Sequence, residues 1–404
     1  MQTPTVYLYG VILISAALLA ASVAFVANRL ALNPWRRNKD KHWSEQARLV
    51  HPVIVAARSN LLTVPGILML AVVLLWPASS PLWLFTGVVS YLGANVGTIP
   101  LNREVCPRIS LRELSRLIVI GVLLQSLIWL VFLGATVFMP DEFDGRALAI
   151  SAMVAALLVI LSRGGSVWIG RKLGLFLPAP ERLRKIAADT SIKTNVLFHD
   201  VLLIRSPQAQ AVALHTTRHL LFTERLLQVL SDEEVASVCA HELAHLTESK
   251  AARYSRSIRM LTFLPWMFFN PLTHSFGMAG VFGLCGVTFV IPRLYGKISR
   301  KLESRADQVA KANEGDPGTY ARALARLYED NLTPAVMAKE RATHPNLYDR
   351  MLAAGVTPDF PRPAAAISMV WHGQLFAVLT GMLLGLFAVR HVIIMEGGGH
   401  GFGL

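Results

Sequence analysis

Cysteine is nearly absent from this 404-residue chain: only Cys106, Cys239 and Cys285 occur. Three scattered thiols exclude a disulfide framework and a cysteine-built zinc site alike. Charge is scarce as well. Acidic and basic residues make up 16% of the chain against 53% hydrophobic ones, too apolar a balance for an ordinary soluble enzyme. There is no internal repeat, and no low-complexity stretch beyond the tail Gly397-Gly398-Gly399-His400-Gly401. The first apolar run has no basic residue ahead of it and Arg29 behind it, which reads as a retained anchor rather than a cleaved signal peptide. Within the apolar runs the modest polar residues are Asn95, Thr98 and Gln125, none charged, so a transporter lined by intramembrane charges is disfavoured.

What the chain has is hydrophobic length. A membrane span needs about 20 apolar residues. Such runs cover Val6 to Ala27, Leu61 to Trp76, Leu82 to Ile99, Leu117 to Met139, Ala147 to Leu161 and Ile367 to Val389. Basic residues sit between them: Arg36, Arg37, Lys39, Lys41 and Arg48 after the first, then Arg103, Arg108, Arg112 and Arg116 after the third. Pro140-Asp141-Glu142-Phe143-Asp144 is acidic. Basic loops stay cytoplasmic, so the N-terminus is expected outside and the chain beyond the fifth span inside. The net charge of +13 is accounted for by these flanking residues and by anionic lipid, and no nucleic-acid partner is expected.

The chemistry is carried by His241-Glu242-Leu243-Ala244-His245. Residues i and i+4 share one helix face, so both imidazoles can reach one metal ion with a carboxylate beside them. Ser231 and Glu234 predict a capping box for this helix, and three acids suit its positive end. Thr247-Glu248-Ser249-Lys250 returns the chain to polar surroundings, so the helix is expected at the membrane surface rather than inside the hydrocarbon.

A catalytic zinc needs a third protein ligand and an open position. Glu303 in Glu303-Ser304-Arg305-Ala306-Asp307 is the best candidate, on a charged amphipathic helix from Lys297 to Ala312. Glu303 and Asp307 share a face; one can bind the metal while the other accepts a hydrogen bond from a ligand imidazole. His274, His372, His391 and His400 are weaker donors, and Glu248 is badly placed to close the site. If Glu303 and His241 meet one ion, the apolar stretch Ile258 to Leu294 must leave and return on one side, as a hairpin of short or kinked spans or a re-entrant pair.

These two motifs, followed by Thr343-His344-Pro345 and Arg350, resemble peptidase family M48, the membrane metallopeptidases that include the HtpX heat-shock proteases and the CAAX prenyl proteases. The resemblance covers roughly Pro180 to Leu352. It implies His241, His245 and Glu303 as zinc ligands, Glu242 as general base and Asp307 as the acid behind a ligand. His344 would donate to the oxyanion and Arg350 would orient the site. Taken locally, Arg350 could instead pair with Asp349 or Glu340 at the surface. Val196 to Arg205 and Ala211 to Thr223 read as strand-like runs. In the family a strand here offers its edge to an extended peptide or protein substrate, although the family's Asn-Ala-Phe is not found around Gln208-Ala209-Gln210-Ala211.

The expectation is therefore a mainly α-helical multi-pass membrane protein with a zincin-like catalytic domain and a small β-sheet. Its divisions are a membrane domain over 1–165 with about five spans, catalytic parts over 166–257 and 295–364, an apolar hairpin over 258–294, and a last span with its Gly-rich tail over 365–404. The expected activity is hydrolysis of peptide bonds in membrane-associated or misfolded proteins by one zinc per chain, at the cytoplasmic face of a bacterial inner membrane. The alternative is a zinc-binding membrane sensor with little or only self-directed proteolysis.

Overall fold

The computed structural model of the protein describes residues 3–75, 80–108, 110–249, 252, 264–338 and 346–397. His344, His400 and residues 258–263 at the start of the apolar hairpin lie outside them. The fold is mainly helical with one small sheet. Among the described residues, five helices are long and apolar enough to cross a membrane: Tyr7–Arg36, Trp43–Leu75, Leu82–Val105, Gly145–Lys172 and Trp371–Ile394. A further 28-residue helix, Leu111–Phe138, covers the fourth apolar run of the sequence. Helices are what apolar runs must form there, because lipid offers no partner to an unpaired peptide group.

The second helix begins at Trp43, well before the expected Leu61, and passes through Pro52 and Pro65. Its first turns reach the part of the chain expected to be catalytic, where Trp43 packs against Phe360 with ring centroids 5.1 Å apart. Polar residues in these turns hide the helix from a hydropathy reading. The first and third spans approach closely. A side chain at Gly93 or Gly97 would run into the carbonyl oxygen of Ala17 or Ala21, so glycine is what lets the two backbones meet.

The sheet has order β1-β2-β4-β3, with β1 Phe176–Pro178, β2 Asp200–Ile204, β3 Ala211–Leu214 and β4 His219–Thr223. β2 and β4 are parallel, and the other pairs are antiparallel. The run expected from Ala211 to Thr223 is thus two strands. The polar quartet His215-Thr216-Thr217-Arg218 breaks it, and Arg218 takes a left-handed φ of 53°. β3 pairs with β4 on one side and leaves its other edge open toward the helix Asp232–Leu246.

That helix buries Val235, Val238, Cys239 and Leu243 against Leu183, Phe222 and Leu226, forming the core of the catalytic part. Val167, Leu202 and Leu221 cover the other face of the sheet. At least two ties among the described residues join this part to the membrane helices. One is the Trp43 contact. Another is Asp330, whose carboxylate takes Arg225 Nη2 at 2.5 Å and also the guanidinium of Arg108, from the basic loop after the third span.

The returning stroke of the hairpin is one 35-residue helix, Met278–Ala312. The charged helix expected from Lys297 is its second half. One rigid element therefore carries Glu303 from the apolar hairpin to the catalytic part. The preceding helix Phe269–Phe276 turns into it at Gly277, whose φ is 53°.

Candidate metal centre

The helix Asp232–Leu246 starts with the capping box expected for it. The Ser231 side chain accepts from the Glu234 N–H, and Glu234 accepts from the Ser231 N–H at 2.9 Å. This fixes the helix phase that turns His241, Glu242 and His245 inward, where all three are buried.

The Nε2 atoms of His241 and His245 lie 3.2 Å apart. Glu303 Oε2 lies 3.5 Å from the first and 3.6 Å from the second. Bonds of about 2.0–2.2 Å to a tetrahedral ion place ligand atoms roughly 3.3–3.5 Å apart, so this triangle fits one ion. Among the described residues no other group of histidine, cysteine and carboxylate side chains converges in this way.

The far sides of the rings reinforce the fit. His245 Nδ1 is 2.7 Å from Glu248 Oε1, a carboxylate that can only accept, so Nδ1 carries the proton. His241 Nδ1 is 2.7 Å from the Tyr320 hydroxyl and 3.2 Å from Asp307 Oδ1. The Tyr320 hydroxyl donates to Asp307 at 2.8 Å, leaving its oxygen to accept from His241 Nδ1–H. With both Nδ1 atoms protonated, the neutral rings present bare Nε2 lone pairs to each other, an arrangement that a cation between them resolves.

Without that cation the surrounding carboxylates draw both rings toward the protonated form. Burial alone would lower the His245 pKa, but hydrogen bonds to Glu248 and Glu303 outweigh it and raise it to about 9. The same contest raises His241, with Asp307 the largest opponent of burial. Burial acts on Asp307 in the opposite sense and is outweighed by the His241 bond and the Arg350 charge, which hold its carboxyl below the usual range. Burial lifts the Tyr320 phenol well above its ordinary value, so it stays protonated and able to donate.

Arg350 is buried. Its Nη2 donates to Asp307 Oδ1 at 2.6 Å and to the Tyr320 hydroxyl at 3.0 Å. It does not pair with Asp349, which Arg362 takes instead. Arg350 thus stands behind His241 through Asp307 and Tyr320 rather than beside the three ligand atoms. Glu242 directs its carboxylate to β3, where Oε2 accepts the Ala213 N–H at 2.8 Å. His274, His372 and His391 are not part of the cluster.

Sequence reasoning missed Tyr320 and undervalued Glu248. The latter had a signal, since a carboxylate three residues after a helical histidine shares its face. Tyr320 has none: it lies 79 residues from the ring it touches.

Residues 180–355 match the model of peptidase family M48. Over 269 residues the chain is 25% identical to a CAAX prenyl protease 1 homolog of Oryza sativa subsp. japonica, covering 54% of this chain and 63% of that protein. Over 203 residues it is 28% identical to a protease HtpX homolog of Syntrophobacter fumaroxidans, covering 43% of this chain and 71% of that one. The chain therefore spans less than two thirds of the length of the first of these relatives.

Proposed function

We propose that this integral membrane metallopeptidase of family M48 is a zinc endopeptidase that cuts extended segments of membrane-associated or misfolded proteins at the cytoplasmic surface of a bacterial inner membrane. The observation that carries the reading is the buried triangle of His241 Nε2, His245 Nε2 and Glu303 Oε2. Two imidazoles and a carboxylate are a hydrolytic zinc donor set. The orientation is supported by Arg108 and Trp43, since the basic loops and the catalytic part meet at the same end of the spans.

His241, His245 and Glu303 would hold the metal. When bound, zinc supplies Lewis acidity, lowering the pKa of a water to about 7 and polarising a carbonyl. Glu242 takes the proton of the attacking water and hands it to the leaving amine. Its carboxylate is held ready by the Ala213 N–H. His344 is proposed to donate to the oxyanion. Asp307, Tyr320 and Arg350 keep the His241 ring turned with Nε2 forward.

The substrate strand would lie along β3. Ala213 turns its N–H away from β4 toward Glu242, so the alternate residue Ala211 presents N–H and C=O on that same free edge. Backbone pairing there gives affinity with little sequence preference. Glu242→Gln tests the assignment. It should keep one zinc per chain and lose cleavage of casein or a membrane-protein substrate. Wild-type turnover by the purified variant would refute the general base. Wild-type protein that cuts only itself would favour the sensor reading.

A further inference from the structure

Nothing in the mechanism above explains His215. It follows β3 directly, and its ring is half-buried and faces the metal helix. Nδ1 lies 3.1 Å from the backbone carbonyl oxygen of His245, which can only accept, so the imidazole donates. The two rings meet edge to face, with centroids 6.1 Å apart at 88°. That carbonyl belongs to the last turn of its helix and also accepts the Glu248 N–H at 3.2 Å, and His215 adds a side-chain donor to it.

The strand it follows is hard to hold in place. β3 is four residues long and has a single pairing partner. Its entry is gripped by Asn331, whose side-chain amide accepts the Ala209 N–H at 2.9 Å and donates to the Ala209 carbonyl at 2.8 Å. Its middle is held by Ala213 on Glu242. Its exit is held by His215 on His245. Position 213 of the strand and position 215 just beyond it thus land on positions 242 and 245 of the helix. Two anchors stop the strand from sliding along the helix and from pivoting about the Glu242 bond. Sliding matters because a one-residue slip exchanges which backbone groups face out.

We infer that His215 is a positioning residue for substrate, a side-chain clamp that registers the open edge of β3 to the metal-binding helix. The inference rests on the peptidase reading given above. His215 binds a backbone oxygen rather than a reacting atom, so its loss acts on where the substrate strand sits and leaves the ligand set in place. Asparagine is the conservative replacement, because its side-chain N–H stands where the histidine Nδ1–H does.

The test uses purified full-length wild type, His215→Ala and His215→Asn, each assayed for zinc per chain, for KM and kcat on a quenched peptide, and for amide exchange over residues 211–214. His215→Ala is expected to raise KM about tenfold, the worth of one such hydrogen bond, with a smaller change in kcat. Zinc content should be unchanged and exchange over β3 faster. His215→Asn should return both KM and exchange close to wild type. An unchanged KM in His215→Ala, a parallel loss of zinc, or an asparagine variant that behaves like alanine would each overturn the clamp. If the wild type cleaves nothing, the peptidase reading fails on its own. The exchange arm then still decides: unaltered β3 exchange in His215→Ala refutes the clamp, and faster exchange reversed by asparagine upholds it.

Discussion

Arg350 donates to the Asp307 carboxylate at 2.6 Å, and Asp307 in turn stands 3.2 Å from the back of the His241 ring. The guanidinium is buried, its side chain 9% exposed against 15% for Asp307. Removing one member of such a pair leaves the other charge stranded and costs about 3–5 kcal/mol. Arg350→Ala should therefore lower the melting temperature and weaken zinc binding by about 10–100-fold, the usual effect of losing an outer support of a ligand. Chelator competition checks the second part. Wild-type zinc affinity in a folded Arg350→Ala protein would show that the support is dispensable.

If the site holds zinc as proposed, protons and zinc compete for the same nitrogens. Metal-free His245 is raised from 6.5 to about 9. A raised cation contributes stability that is complete below 6.5 and fades as the pH climbs through about 9. Zinc needs the neutral ring, so its affinity falls as the pH drops across that window. The melting-temperature gap between zinc-loaded and chelated protein should widen steadily from neutral to alkaline pH. A gap that stays constant would mean that the imidazoles are neutral throughout.

The contact between the first and third spans sets a steric limit. A Cβ at position 93 would sit 2.1 Å from the Ala17 carbonyl oxygen. Gly93→Val should force the helices apart and reduce the yield of folded, detergent-extracted protein. The same change at Gly134, where nothing lies within 4 Å, should be tolerated. Size-exclusion profiles of the two variants separate the outcomes, and equal behaviour would argue against close packing here.

Much of the site was readable before the structure because its parts lie close in sequence. His241, Glu242 and His245 share two turns of one helix, and the Ser231 cap announces where that helix begins. Glu303 and Asp307 share a face for the same reason. What escaped notice depends on distant chain segments meeting. Tyr320 reaches His241, Asn331 grips Ala209 and Arg108 reaches Asp330 through contacts that no local pattern encodes. The Trp43 start of the second span escaped because its first turns serve the catalytic part and are polar. The β3–β4 turn escaped because Arg218 takes a left-handed conformation usually signalled by glycine or asparagine.

Zinc analysis of wild type beside Glu303→Ala, each purified without added metal and then titrated with zinc against a chelator, reaches the root of the account. One tightly held zinc per wild-type chain and a large loss of affinity in the variant are the predicted result. A variant that still holds one zinc as firmly as wild type would mean that the paired imidazoles bind without the carboxylate from the long returning helix, and that the assembled centre described above is wrong.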